Sequence, residues 1–258
     1  MPNLIPAARL ILAALLLLVP SARVAAAPAP LAVGPTNAAE AKAIADGISR
    51  PVEKDARVPS NGKPWGINKA AVADPALPRV LLIGDSILNG YSSTVIKRLA
   101  GRACVDYWVT PACQSEGFNK MLAVVLTNGP YAVVHINLGL HGWQPGRIPA
   151  GQFEPLTKAF VEVIRQQSPR SKIIWASTTP IMVRGKPELE PERNPIILEH
   201  NRMAARVMAE LKVPVNDLYS LMTNRLELKT DEFHWQDAAR KIQGNAVADC
   251  VLRELAGK

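Results

Sequence analysis

From Arg79 to the end of the chain, apolar residues come in short β-branched runs separated by longer stretches with helical spacing. The runs cover residues 80–83, 105–109, 131–137, 172–177 and 213–218. None shows the apolar–polar alternation of a half-exposed strand, so they read as parallel strands covered on both faces. The intervening segments, near 91–101, 116–127, 153–167 and 194–211, repeat with the period of a helix, and a last helix is expected over 236–255. Five βα units in succession imply an α/β fold, a three-layer α/β/α sandwich around a five-stranded parallel sheet, because right-handed crossovers put helices on both faces. In such a sheet the chemistry is expected just beyond the carboxyl ends of the strands.

The first 78 residues follow other rules. Residues 1–27 carry Arg9, an apolar run from Leu10 to Val19 and small residues ending at Ala27, the pattern of a secretory signal peptide. The run is well short of the roughly 20 residues that span a bilayer, which argues against an uncleaved anchor. Residues 28–78 form an N-terminal extension, with an Ala-rich helix expected over 37–48. A Pro-, Gly-, Asn- and Lys-rich surface segment covers 51–78. Residues 79–258 form the main domain. The protein is therefore expected to be exported, periplasmic or secreted, with no membrane segment once the leader is removed.

Charge and cysteines refine this picture only slightly. The formal net charge is +8, and loss of the leader with Arg9 and Arg23 leaves +6. Lys and Arg are dispersed and no recognition module accompanies them, so nucleic acid is not expected as a partner. Cys104, Cys113 and Cys250 would meet an oxidising compartment after export. A bridge between Cys104 and Cys113 is one possibility, and spacing alone does not decide it. No Cys/His/Asp/Glu spacing suggests a metal site.

Two short motifs carry chemistry. Gly84-Asp85-Ser86 directly follows the first strand, where glycine permits a sharp turn and a Ser at a helix start has an unpaired backbone N–H. Such a Ser can be a nucleophile and its own oxyanion donor, or simply a helix cap. Asp231-Glu232-Phe233-His234 precedes the last helix, and a carboxylate three residues before a His can fold back onto Nδ1–H and leave Nε2 for a serine proton. His135 reads as a hydrogen-bonded core residue and His200 as a surface one.

Over roughly residues 79–255 the chain resembles the SGNH (GDSL-type) hydrolases, whose nucleophile lies in a Gly-Asp-Ser block and whose acid and base lie in a C-terminal Asp-x-x-His block. The resemblance implies a flavodoxin-like fold, no cofactor, and hydrolysis of esters through an acyl-enzyme with Ser86, His234 and Asp231. It further implies an oxyanion hole, for which Ser86 and Gly117 are candidates. The family's Gly-x-Asn-Asp block reads Gly139-Leu140-His141-Gly142 here, so His141 or Asn137 stands in for the usual Asn. Trp143 and Trp235 are candidates either to line the mouth of the site and hold a sugar ring or acyl chain, or to pack beneath the loops. The expected substrate is a small-molecule or polysaccharide ester, most simply an O-acetyl ester of carbohydrate or cell-wall material. Acyl transfer to a sugar hydroxyl, or a binding module that keeps the fold, are the alternatives.

Overall fold

The computed structural model describes residues 34–49, 66–70 and 74–257. The leader, and residues 51–65 and 71–73 of the surface segment expected over 51–78, lie outside the described residues. The helix expected near the start is α1 (Ala38–Ser49). The sheet contains β1 (Ile67–Asn68), β2 (Arg79–Gly84), β3 (Cys104–Val109), β4 (Val133–Asn137), β5 (Lys172–Ala176) and β6 (Val215–Asn216), in the order β1-β3-β2-β4-β5-β6. Strands β2 to β6 are all parallel and correspond to the five expected runs. The sheet has a sixth strand, because β1 pairs antiparallel with the outer edge of β3 through Ile67 and Asn68. Two residues carry no periodicity, so this strand has no signature of its own in the sequence. The run at 213–218 yields only two strand residues, since Pro214 has no N–H for the ladder and Leu218 already begins the next helix.

Helices cover both faces, as uniformly apolar strands require. On one face lie α2 (Ser86–Leu99), α6 (Leu218–Thr223) and α7 (Asp237–Leu255). Their core takes Val80 and Leu82 from β2 together with Leu88, Tyr91, Val247 and Val251. On the other face lie α3 (Glu116–Leu126), α4 (Phe153–Gln167) and α5 (Asn194–Leu211), gathered around Leu81 and Ile83 of the same strand. Alternate residues of β2 therefore feed two separate cores, which fixes its register: a one-residue slip would exchange them. Phe118 of α3 stacks on Trp108 and on Phe160, at centroid distances of 5.3 and 4.9 Å.

Cys104 opens β3 and exchanges hydrogen bonds with Asp74, whereas Cys113 lies past the other end of that strand, beside Gly142. Five strand steps of about 3.3 Å each separate the two ends, so a Cys104–Cys113 bridge does not suit this fold. At the end of the sheet where Cys104 lies, buried Asp106 accepts from Arg79, from Tyr131 Oη at 2.8 Å and from the Ala70 N–H at 2.9 Å. This ties the β1 segment to the sheet. The wide hollow beside it, lined by Arg79, Asp106, Tyr131 and Arg170, lies a full strand length from the carboxyl ends.

The packing of α7 on α2 is unusually close. A Cβ on Gly244 would lie 2.6 Å from Thr94 Cβ and 3.0 Å from the Tyr91 carbonyl oxygen. Gly244→Ala gains about 1 kcal/mol of helix propensity but incurs about 1–3 kcal/mol of overpacking against backbone and a β-branched side chain. We expect a net loss of stability of about 1 kcal/mol and at most about 2 kcal/mol, seen as a lower urea midpoint with an unchanged m value. A midpoint at or above the wild-type value would show that the two helices can separate freely.

Candidate active site

The carboxyl end of β2 turns directly into α2. Asp85 is the N-cap, its carboxylate accepting the Ile87 N–H at 2.9 Å, and Ser86 is the first helical residue. Gly84 is needed for this turn, since a Cβ there would meet Leu88 Cβ at 2.6 Å and the Asn137 carbonyl at 2.9 Å. The helix thus starts five residues before the expected boundary, which puts the Ser86 N–H among the first-turn donors that no helix carbonyl can satisfy. Asp85 also accepts the Leu140 N–H, so one buried carboxyl joins the start of α2 to the loop after β4. Burial pushes its pKa up to about 6, against the pull of the Ile87 N–H and the His234 charge.

At the far end of the chain, the turn before α7 brings Asp231 and His234 together. Asp231 Oδ1 accepts the N–H groups of Phe233 and His234, each at 2.8 Å, and Oδ2 lies 2.8 Å from His234 Nδ1. His234 Nε2 lies 2.9 Å from Ser86 Oγ, 148 residues away in sequence. The three side chains form one hydrogen-bonded chain. Partial burial disfavours the Asp231 charge, but the His234 and Phe233 donors outweigh it and hold the carboxyl below its ordinary range. Asp231 therefore stays ionised and can stabilise an imidazolium at His234.

The remaining residues singled out from the sequence divide. His141 lies on the tight loop after β4, where Gly139 adopts φ +147° and Gly142 donates its N–H back to the Gly139 carbonyl at 2.9 Å. A Cβ on Gly139 would meet Thr178 Oγ1 at 2.1 Å, so the turn that presents His141 requires glycine there. Burial, then the nearby Arg147 and His234 charges, lower the His141 pKa to about 4. Asn137 is turned inward: its Oδ1 accepts from Tyr91 Oη at 3.3 Å and its Nδ2 donates to the Ser177 carbonyl at 3.2 Å. Gly117 lies exposed in the first turn of α3, a helix that Ser115 caps by accepting the Phe118 N–H. It is a helical residue, inside the segment expected over 116–127.

Trp143 is half-buried and stacks on Phe233, with centroids 6.5 Å apart and planes inclined by 17°. The Arg193 guanidinium covers both rings at 5.4 and 5.6 Å and is ion-paired to Glu232 at 2.6 Å. Trp235 borders the same crevice as Ser86 and His234 but scarcely reaches solvent. It is 2 % exposed and packed in the α2/α7 core, with Lys229 Nζ 4.0 Å from its ring centroid. His135 is fully buried, its Nε2 3.4 Å from Asn216 Nδ2, and burial lowers its pKa to about 3. His200 is half-buried and stacks on Phe153 at 4.5 Å, not open on the surface. Phe233, Arg193, Glu232 and Lys229 around the Asp231–His234 turn were not singled out from the sequence. Only Phe233 and Glu232, inside the Asp-x-x-His block, gave any signal. Among the described residues no group of three or more His, Cys, Asp or Glu side chains is placed to hold a metal ion.

A shallow crevice of about 10 Å³ adjoins Ser86 and His234 and is lined by Ile87, Gly90, Trp235, Arg240 and Gln243. No protein-family model matches the sequence, and no curated protein does. Solved structures share the fold. The lipase/acylhydrolase from Enterococcus faecalis superposes with a TM-score of 0.56 at 21 % identity, over 68 % of this chain and 95 % of that one. An acetyl xylan esterase gives 0.55 at 17 % identity, over 67 % and 99 %. A carbohydrate esterase family 3 protein from Talaromyces cellulolyticus gives 0.54 at 16 %, over 70 % and 100 %.

The lowered pKa of His141 has a direct consequence. Its ring is expected to stay neutral from pH 8 down to pH 5, with a midpoint near 4. Between the ordinary 6.5 and that midpoint the unfolded chain holds a proton that the folded one lacks, so this ring makes the protein less stable as pH falls through that window. NMR titration of the imidazole ¹⁵N shifts measures it, and a midpoint above 6 would contradict this environment.

Proposed function

We propose that the protein is a serine ester hydrolase of the SGNH type, acting on short acyl esters of carbohydrate. The observation that carries this reading is the continuous contact from Ser86 Oγ to His234 Nε2 at 2.9 Å and from His234 Nδ1 to Asp231 at 2.8 Å. This is the geometry a hydroxyl needs in order to lose its proton to an imidazole as it attacks a carbonyl. His234 takes the Ser86 proton, the Ser86 oxygen bonds to the ester carbon, and the carbonyl oxygen becomes an oxyanion. His234 then passes its proton to the leaving alcohol. In the second half it deprotonates a water that releases the acid from Ser86, with Asp231 stabilising the imidazolium each time.

For the oxyanion we assign the Ser86 N–H, at the positive end of α2, and an N–H of the neutral His141 ring. A neutral imidazole in a partly desolvated position is a good donor and avoids placing a second cation beside His234. Gly117, exposed on α3, and Asn137, engaged with Tyr91 and Ser177, fit this part less well.

The crevice at Ser86 measures only about 10 Å³, far below the roughly 300–1,000 Å³ of pockets that enclose larger ligands, which favours a short acyl group over a long chain. The Trp143 and Phe233 rings, backed by Arg193, offer an aromatic wall next to His234 on which a sugar ring can lie. The acetyl xylan esterase and carbohydrate esterase of the same fold make O-acetyl carbohydrate the first substrate class to try. The leader-like residues 1–27 support action outside the cytoplasm. Among the described residues no helix is long and apolar enough to cross a membrane.

Ser86→Ala is expected to lower kcat for p-nitrophenyl acetate by about 10⁴-fold or more and to abolish labelling by a fluorophosphonate. A folded wild-type protein that resists the probe would refute the assignment. If acetyl groups pass to an added oligosaccharide faster than acetate appears, the same acyl-enzyme serves a transferase. Trp143→Ala is expected to reduce kcat/KM for an acetylated xylo-oligosaccharide by about ten-fold. For p-nitrophenyl acetate, which has no sugar, the change should stay below about two-fold. Equal losses on both substrates would remove Trp143 from substrate recognition.

A further inference from the structure

Lys229 is 6 % exposed, and no other Lys or Arg among the described residues is buried. It lies five residues before His234, at the base of the turn that carries both Asp231 and His234. Lys229 and Trp235 bridge in antiparallel fashion, the Thr230 N–H donates to the His234 carbonyl at 3.0 Å, and the Gln236 N–H donates to the Leu228 carbonyl at 2.8 Å. The turn is thereby closed at its neck. Inside it, Lys229 Nζ donates to the carbonyls of Glu232 at 3.2 Å and Phe233 at 3.0 Å and rests on the Trp235 ring.

These two carbonyls belong to the same peptide planes as the N–H groups of Phe233 and His234. A trans peptide is rigid and points its oxygen and its hydrogen in opposite directions. Each plane is therefore held at its oxygen by Lys229 and at its N–H by Asp231 Oδ1, at 2.8 Å in both cases on the Asp231 side. Fixing two consecutive planes fixes where the Asp231 carboxylate must sit to receive both hydrogens, and so the direction from which it meets His234 Nδ1. Donation to the carbonyls also polarises the N–H groups on the far side, strengthening their hold on the carboxylate.

We infer that Lys229 is a positioning residue for the proposed triad: with Asp231 it clamps the two peptide planes that aim His234 at Ser86. This rests on the serine-esterase reading of the same site. Lys229 touches neither Ser86 nor His234 side-chain atoms and works entirely through the turn. Burial lowers its pKa to about 7, with the Asp231 charge acting in the opposite direction. Two carbonyls can be served by the neutral amine as well as by the ammonium, so the clamp holds in either form.

The test is Lys229→Met in the full chain, with Lys229→Gln beside it. Three readouts are compared with wild type: kcat and KM for p-nitrophenyl acetate, the thermal midpoint, and the downfield NMR resonance of the His234 Nδ1 proton. For Lys229→Met we expect kcat to fall about 10- to 100-fold with KM within about two-fold, and the downfield resonance to broaden or disappear. Lys229→Gln, which keeps an N–H donor group on a shorter side chain, should recover part of both. A folded Lys229→Met protein with wild-type kcat overturns the proposal. So does a lower kcat with an unchanged His234 resonance, or a lower midpoint with kcat intact. If the Met variant is not obtained folded, Lys229→Gln decides on the same measures, and wild-type kcat together with a wild-type resonance overturns the proposal. If wild type neither hydrolyses esters nor labels at Ser86, the esterase reading fails. The His234 resonance then still decides whether Lys229 holds the turn.

Discussion

Everything at the site depends on how closely α7 can approach α2. Ser86 is the first residue of α2 and His234 stands three residues before α7, so the bond between their side chains inherits the separation of the two helices. Packed helices lie 8–10 Å apart according to the side chains at the contact, a spread several times the tolerance of a hydrogen bond. The chain removes that spread by placing small residues on α7. Ala239, Gly244 and Ala248 are buried, Gly244 lies directly on Thr94 and the Tyr91 carbonyl, and Gly90 of α2 leaves room for Arg240. The sheet contributes the other half. Parallel strands in register deliver the start of α2 and the loop after β4 to the same rim, where Asp85 joins them by accepting from Ile87 and Leu140.

The two carboxyls flanking Ser86 and His234 are treated oppositely, in accord with their parts. Asp85 is buried, and desolvation moves it toward the neutral form; what it supplies is connection between backbone segments, which does not require a full charge. In the proposed reaction Asp231 must stay charged to offset an imidazolium. It is partly exposed and receives three N–H donors, two from the backbone and one from the ring. His141, on the opposite side, is kept neutral by burial and by the Arg147 and His234 charges. Arg147 also donates to the Pro111 carbonyl at 3.1 Å, so the loop after β3 and the loop after β4 share one cation. The site thus carries its positive charge at its margin and leaves the centre free for charge that develops during reaction.

How much of this was legible follows from the range of each signal. The five parallel strands were readable because burial on both faces leaves an unbroken apolar run, and the Asp231–His234 pair because its spacing is local. The Gly84–Ser86 turn was readable for the same reason. The start of α2 was placed too late, as Asp85 caps a helix whose first turn contains Asn89 and Gly90, residues that read as loop. Gly117 lies inside the helix expected over 116–127, whose start Ser115 marks as an N-cap that accepts the Phe118 N–H. Trp235, expected either at the mouth or packed beneath the loops, borders the crevice from within the core. Extended backbone sends neighbours to opposite sides, and the bridge to Lys229 turns the indole inward. Lys229 and Arg193 gave no signal at all, because a buried cation looks the same in sequence as a surface one and its partners are carbonyls, rings and a carboxylate brought up by the fold.

The turn that carries the proposed acid and base also forms part of the rim, and its anchoring keeps those two duties apart. Its side chains face outward: Phe233 to Trp143, and Glu232 to Arg193 and to Arg184 at 2.9 Å. Its peptide groups face inward and are held by Lys229, by Asp231, and by the Met182 N–H, which donates to the Glu232 carbonyl at 3.0 Å. A change at the rim therefore acts on side chains whose backbone is already fixed by contacts that no substrate touches. Exposed ion pairs such as Arg184–Glu232 contribute little on their own, so the rim can be altered at small cost while the backbone clamp still aims His234. If the site is the proposed esterase, it can vary the alcohol it accepts by exchanging residues such as Trp143 or Arg184 and leave the distance between His234 and Ser86 unchanged.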